Sequence, residues 1–192
     1  RDFALQLDSQ DKLASFKEAF VIPDPSLVYF DGNSLGMMPK AAQEKSRQVV
    51  DEQWGKDLIR GWNKGWWDAP SRVGDKIGQL IGAASGQVIV SDTVSVNLFK
   101  LATAALTLQP HRKRIITDTF NFPSDLYILQ GIINLLSSGG RVVGQSATYR
   151  DREIIRIGSN DNELTPDLDA LEQAINEDTA LVTLSHVLFK SG

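Results

Sequence analysis

The sequence predicts an α/β fold, a mainly parallel sheet with helices on both faces. Short apolar runs of strand length alternate with amphipathic stretches of helix length, the pattern of βαβ crossovers. Clusters of Ser, Thr, Asp and Pro follow two of those runs, where a crossover helix needs its cap. The 192 residues are 42% apolar and 23% charged, a balance that lets a chain of this length bury a core without staples.

Taken in order, residues 9–20 place Leu13, Phe16 and Phe20 at helical spacing, and Pro23 and Pro25 stop that helix. A short apolar run at 27–30 meets a glycine-bounded turn at 31–36. Pro39 stands where the next helix begins, and Trp54-Gly55 is a sensible end for it. Residues 60–70 hold three of the four tryptophans among glycines, an irregular aromatic loop closed by Pro70. Val73, Ile77, Leu80 and Ile81 share a helical face. Residues 88–90 read as a strand, Ser91-Asp92-Thr93 as a cap, and the residues through Leu106 as an apolar helix.

Residues 115–117 are the next strand and Pro123-Ser124-Asp125 the next cap cluster. Tyr127, Ile128, Ile132 and Leu135 mark the helix after it, and Gly139-Gly140 stops it. Strands follow at 141–143 and 153–157. Thr165-Pro166 reads as a cap with proline at the first helical position, and Leu168, Leu171 and Ile175 form that helix's buried stripe. The last strand is expected at 180–184.

Composition narrows the chemistry. Cysteine is absent, which excludes disulfides, thiolate metal sites and a cysteine nucleophile within these residues. The two histidines, His111 and His186, do not suffice for a histidine-built metal site. A net charge of −4 gives no bulk attraction to nucleic acid. No apolar run has the length of a membrane span and no signal-peptide pattern opens the chain, so a cytoplasmic location is expected. The chain starts at Arg1 and stops at Gly192, after a strand, and is expected to be part of something larger.

Ligands of open α/β sheets bind beyond the carboxyl ends of the strands. Three stretches therefore matter: 91–95, 118–125 and Ser185-His186. At the first, the N–H groups of Val94 and Ser95 and the hydroxyls of Thr93 and Ser95 make a phosphate cradle at a helix N-terminus; capping alone accounts for the same residues. At the second, Phe122-Pro123-Ser124-Asp125 holds a flat ring and an acid together, or else supplies a core phenylalanine and a cap. Elsewhere, the 31–36 turn offers Asn33 and Ser34 with glycines for close approach. Trp62, Trp66 and Trp67 form an aryl pocket or anchor a loop. His186 alone carries no acid–base assignment.

The order and spacing of Tyr29-Phe30-Asp31-Gly32-Asn33-Ser34-Leu35-Gly36, Val94-Ser95-Val96-Asn97-Leu98 and Phe122-Pro123-Ser124-Asp125 closely resemble kynureninase. The tryptophan loop and Leu184-Ser185-His186-Val187 resemble its bacterial members. The resemblance implies a homodimeric pyridoxal 5'-phosphate enzyme of the aspartate-aminotransferase type (fold type I). It implies hydrolysis of the Cβ–Cγ bond of L-kynurenine, or of 3-hydroxykynurenine, to anthranilate (or 3-hydroxyanthranilate) and L-alanine. That reaction belongs to tryptophan catabolism and leads toward NAD biosynthesis.

By the same resemblance, Val94 and Ser95 contact the cofactor phosphate and Phe122 stacks on its ring. Pro123 and Ser124 shape the loop, while Asp125 and Ser185 lie beside the cofactor. Ser34 and Trp62 lie near the substrate, Trp62 facing its aryl group. Residues 1–60 are expected to contribute to the active site and a small domain, and 61–192 to form an incomplete cofactor-binding domain. The family's Schiff-base lysine has no counterpart here and is expected beyond Gly192; Lys190 stands in the wrong context. The resemblance is thus to an N-terminal half, expected to be inactive and poorly soluble alone. Another fold-type-I enzyme, such as a cysteine desulfurase or class V aminotransferase, shares the architecture but not this combination of motifs. A non-catalytic interaction protein on the same half-fold fits the missing lysine.

Overall fold

The computed structural model describes residues 1–137, 152–162 and 164–191. The chain divides into two compact units, Arg1–Val90 and Ser91–Gly192. The first opens with α1 (Asp2–Gln10). A single helix over 9–20 does not form. Asp11 turns extended (φ −70°, ψ 109°), and its Oδ1 accepts the Leu13 N–H at 2.8 Å, a local bond that competes with helix propagation. Only a 3₁₀ stretch, Ala14–Ala19, follows.

Residues 20 and 39 then form an antiparallel bridge, and the Val21 N–H bonds to the Met38 carbonyl at 2.9 Å. The loop so closed carries the 31–36 turn, where the Ser34 and Leu35 N–H groups both reach the Asp31 carbonyl at 3.1 Å. The Tyr29 hydroxyl fastens this turn through the Leu35 carbonyl at 2.6 Å. Within the chain itself neither glycine is pressed by a neighbour: a Cβ at residue 32 would meet nothing within 4 Å, and one at residue 36 only the Gly32 carbonyl at 3.8 Å.

Helix α2 (Lys40–Gln48) starts after Pro39 as expected and runs on through a π-helical stretch, Val49–Trp54, to Gly55. The tryptophan segment is more regular than expected, because Leu58–Lys64 forms a 3₁₀ helix. Pro70 opens α3 (Ala69–Ile81), which stops at Gly82 in the left-handed region (φ 75°).

The predicted strand at 88–90 has no ladder partner among the described residues. A strand needs a neighbour for its backbone groups. This segment instead lies on α3, with the Val90 N–H on the Pro70 carbonyl at 3.2 Å. Gly74 makes that approach possible, since a Cβ there would stand 2.0 Å from the Val88 carbonyl oxygen. Gly74→Ala is therefore expected to lower unfolding free energy by about 1–3 kcal/mol through forced displacement of 88–90. Gly78→Ala is the control: its nearest neighbour would be at 3.5 Å, so its melting temperature should hold or rise. Within residues 1–90 only Gly61, Gly74 and Gly78 are buried, so this unit has no apolar core of its own.

The second unit is built on a parallel three-stranded sheet. Its elements are α4 (Val94–Leu108), β1 (Arg114–Asp118), α5 (Pro123–Ser137), β2 (Glu153–Ile157), α6 (Leu168–Ala174) and β3 (Thr179–Thr183). The strand order is β2-β1-β3, with Ile116 opposite Ile155 on one side and Val182 on the other. Ile115 joins Ala102 and Leu106 of α4 and Leu129, Ile132, Ile133 and Leu136 of α5 in the core. Ile116, on the opposite face, is also fully buried, so the central strand is covered on both faces as a parallel sheet requires.

The expected strand at 141–143 and the Gly139-Gly140 stop lie outside the described residues. The cap of α6 is Asp167, which accepts the Ala170 N–H at 3.0 Å, and not Thr165. Asp161 captures Thr165 first, taking its N–H at 2.9 Å and its hydroxyl at 2.6 Å. Helix direction follows from one long-range bond. The Leu106 carbonyl, near the end of α4, accepts from the Arg152 guanidinium at 3.1 Å, immediately before β2 begins. The end of α4 therefore sits at the amino edge of the sheet, and its beginning points to the carboxyl edge, where α5 also starts.

Candidate functional site

The first turn of α4 is shaped by Thr93, which stays extended (φ −89°, ψ 163°) while its Oγ1 accepts the Val96 N–H at 3.3 Å. The Thr93 hydroxyl is thus engaged in capping. The N–H groups of Val94 and Ser95 belong to the first turn and have no intrahelical acceptor, so the positive end of the helix stays open to an anion. No acidic residue stands in this turn. Asp92, just before it, is ion-paired with Lys100 and accepts the Ser91 hydroxyl at 2.8 Å. The Lys100 ammonium, helped by Ser91, holds the Asp92 carboxyl below its ordinary range. The pair cancels a negative charge that would repel an anion.

The second element is the β1–α5 loop. Asp118 is fully buried, and its Oδ1 accepts the Phe120 N–H at 2.8 Å, turning the chain sharply off the strand. Phe120 is the core phenylalanine of this loop; Phe122 is half exposed. The predicted cap cluster is displaced by one residue. Pro123 is the first residue of α5, where its fixed φ suits a helix and its missing N–H costs nothing. Ser124 and Asp125 then lie in the first turn, with the Asp125 N–H on the Phe122 carbonyl at 2.9 Å.

Burial pushes the Asp125 carboxyl up, against a weaker opposing effect of the Ser124 hydroxyl. A carboxyl with a raised folded-state pKa binds its proton more tightly folded than unfolded. Its contribution to stability is then fullest below the unfolded value of about 4 and is lost as pH rises through the folded value. Asp125→Asn removes this dependence. In urea titrations of the cofactor-free protein, the variant should gain on the wild type as pH climbs from about 4, with the gain levelling once Asp125 is ionised in both states.

The third element is the segment after β3. The Ser185 hydroxyl donates to Asn121 Oδ1 at 2.5 Å, tying this segment to the β1–α5 loop. Phe189 meets Phe122 edge to face, with centroids 5.2 Å apart and planes at 70°. His186 is exposed, and Lys190 is exposed beside Phe189.

Phe122, Pro123, Ser124, Asp125 and Ser185 therefore come together at one edge of the sheet, the edge toward which Val94 and Ser95 point. Asn121 was not singled out by the sequence, although it stood in the right stretch. A buried amide (4% exposed) between two phenylalanines at the end of a central strand is the signal that marks it.

Ser34 and Trp62 belong to the first unit. Ser34 is exposed in its turn, beside an apolar cleft of about 440 Å³ lined by Tyr29, Leu35 and Met38 among others. Trp62 meets Trp66 at 6.0 Å and Trp67 at 6.3 Å, both edge to face. The anchor of this cluster is Trp66, whose indole N–H reaches Gln53 at 2.7 Å and whose ring lies where a Cβ on Gly61 would stand at 2.9 Å. Trp62 remains half exposed and Trp67 largely accessible. Among the described residues, no hydrogen bond or ring contact joins Ser34 to Trp62.

The second unit is thus of the parallel α/β class, with an open helix N-terminus and a ring-plus-acid loop at the carboxyl edge of its sheet. Its relatives are specific. Along its whole length the chain is 42% identical to a kynureninase of Pseudomonas fluorescens, over 197 aligned positions. It is 41% identical to a kynureninase of Burkholderia pseudomallei and 40% identical to one of Burkholderia mallei, again with the whole chain matched. The chain spans about 42% of the length of these relatives. No family model matches it. Among the described residues no helix is long and apolar enough to cross a membrane.

Proposed function

We propose that the chain is the N-terminal part of a kynureninase and supplies much of the cradle for pyridoxal phosphate. The observation that carries this reading is the meeting of Phe122-Pro123-Ser124-Asp125 with Ser185 at the carboxyl edge of the sheet, in a chain similar to kynureninases throughout. The residues suit the cofactor's chemistry. The α4 N-terminus offers N–H donors and a Ser95 hydroxyl to a phosphate, with no carboxylate in its first turn. Phe122 offers a half-exposed ring, and Asp125, in the first turn of α5 just after it, a partly desolvated carboxyl. Bound pyridoxal phosphate supplies the electron sink that makes cleavage next to the amino-acid carbon accessible.

In this reading Val94 and Ser95 hold the phosphate, Phe122 covers one face of the ring, and Ser185 and Asp125 fix its edge. Pro123 and Ser124 hold the loop between them. Ser34 and Trp62 bound the substrate, L-kynurenine or its 3-hydroxy form, with Trp62 against the aryl group. Residues 1–60 contribute to the active site and a small domain, and 61–192 form part of the cofactor domain. The lysine that carries the cofactor lies in the remainder of the protein. The enzyme works as a cytoplasmic homodimer in tryptophan catabolism, toward NAD biosynthesis.

The full-length protein tests this. After incubation with pyridoxal phosphate, borohydride reduction and peptide mapping should place the trapped cofactor on a lysine outside residues 1–192. Trapping at Lys190, or at any other lysine within these residues, would overturn the assignment. Trp62→Ala should raise KM for kynurenine about 5- to 30-fold, the equivalent of about 1–2 kcal/mol of lost ring contact, with cofactor affinity within about twofold of wild type. Lower thermal stability with unchanged KM would make Trp62 a loop anchor instead.

A further inference from the structure

Asn121 is 4% exposed, and its side chain makes three hydrogen bonds, to β1, to the next residue of its own loop and to the segment after β3. Its Oδ1 accepts the Ser185 hydroxyl at 2.5 Å and the Phe122 N–H at 3.0 Å. Its Nδ2 donates to Thr117 Oγ1 at 3.2 Å. An amide oxygen has two lone pairs, and both are spent. The orientation of the amide is fixed by these partners, because the Phe122 N–H requires an oxygen opposite it. The Ser185 hydroxyl has a single proton, and that proton is committed to Asn121. What Ser185 still presents is lone pairs alone.

We infer that Asn121 is a positioning residue which makes Ser185 a pure hydrogen-bond acceptor toward the bound ligand and locks Phe122 to the same frame. The inference rests on the cofactor reading above and deepens it. The ligand atom opposite Ser185 must then be a donor, such as a ring hydroxyl. Asn121 touches neither ligand nor reacting atoms; it acts through Ser185 and through the backbone that aims the Phe122 ring. Thr117 sets the amide, the amide sets the hydroxyl, and strands β1 and β3 are thereby tied at the carboxyl edge.

A double-mutant cycle in the full-length protein tests the coupling, read as pyridoxal phosphate affinity and as the visible circular dichroism of the bound cofactor. Asn121→Ala and Ser185→Ala should each weaken binding about tenfold, and the double variant no more than about tenfold, because the two act as one unit. Asn121→Asp keeps both acceptor contacts, while the Thr117 hydroxyl can turn to donate. It should bind within about threefold of wild type with an unchanged dichroic band. Binding by Asn121→Ala within twofold of wild type overturns the inference, as does full additivity with Ser185→Ala. Should Asn121→Ala not fold, Thr117→Val takes its place, with about a three- to tenfold loss expected and no loss contradicting. Wild-type protein that fails to bind pyridoxal phosphate overturns the cofactor reading and this inference with it. Wild-type binding with indifferent variants overturns this inference alone.

Discussion

Phe122→Ala in the full-length protein should weaken pyridoxal phosphate binding about 5- to 150-fold, the equivalent of about 1–3 kcal/mol of stacking and apolar contact. The ring stands at the end of the central strand, half exposed, and meets Phe189 edge to face. Phe120 fills the core in its place, so truncation at 122 opens no buried cavity and leaves the melting temperature of the cofactor-free protein nearly unchanged. Phe122→Tyr keeps the ring face and should stay within about threefold of wild type. Equilibrium titration monitored by absorbance or dichroism decides the matter. Unchanged affinity in the alanine variant would remove the stacking role.

Val94→Pro should cost about tenfold or more in the same titration. The substitution deletes one backbone N–H and little else. Thr93 already has the extended backbone that a residue before proline requires, and Val94 is the first residue of α4, where proline is well tolerated. The Val94 side chain is exposed, so no packing is lost. A hydrogen bond to a charged partner contributes about 1.5–3 kcal/mol, which sets the expected loss. The loss should be confined to the phosphate: pyridoxal, which lacks it, should bind both proteins alike. Val94→Ala, which keeps the N–H, should match wild type. An equal loss of pyridoxal binding would move the defect away from the helix N-terminus.

Much of the second unit was legible in the sequence because its signals are local. Apolar runs at 115–117 and 153–157 and a hydroxyl at Thr93 announce two strands and a cap without reference to anything distant. Where reading failed, a competing local bond or a missing neighbour decided. Asp11 ended a helix whose apolar spacing ran on through it, and Asp161 took Thr165 away from α6 before it could cap. The three apolar residues at 88–90 have strand composition, but composition cannot say whether a partner strand lies beside them. Motif resemblance located Phe122, Asp125 and Ser185 as candidates. It was silent on Asn121, whose importance depends on a hydroxyl 64 residues away in the chain. Long-range hydrogen bonds of that kind leave no periodicity to read.

Conversion of L-kynurenine by the full-length protein with pyridoxal phosphate is the most direct test of the account. It predicts anthranilate and L-alanine released in equal amounts, with no anthranilate when the cofactor is withheld. A protein that binds pyridoxal phosphate at this site, yet yields no anthranilate from kynurenine or 3-hydroxyanthranilate from its 3-hydroxy form, would contradict it.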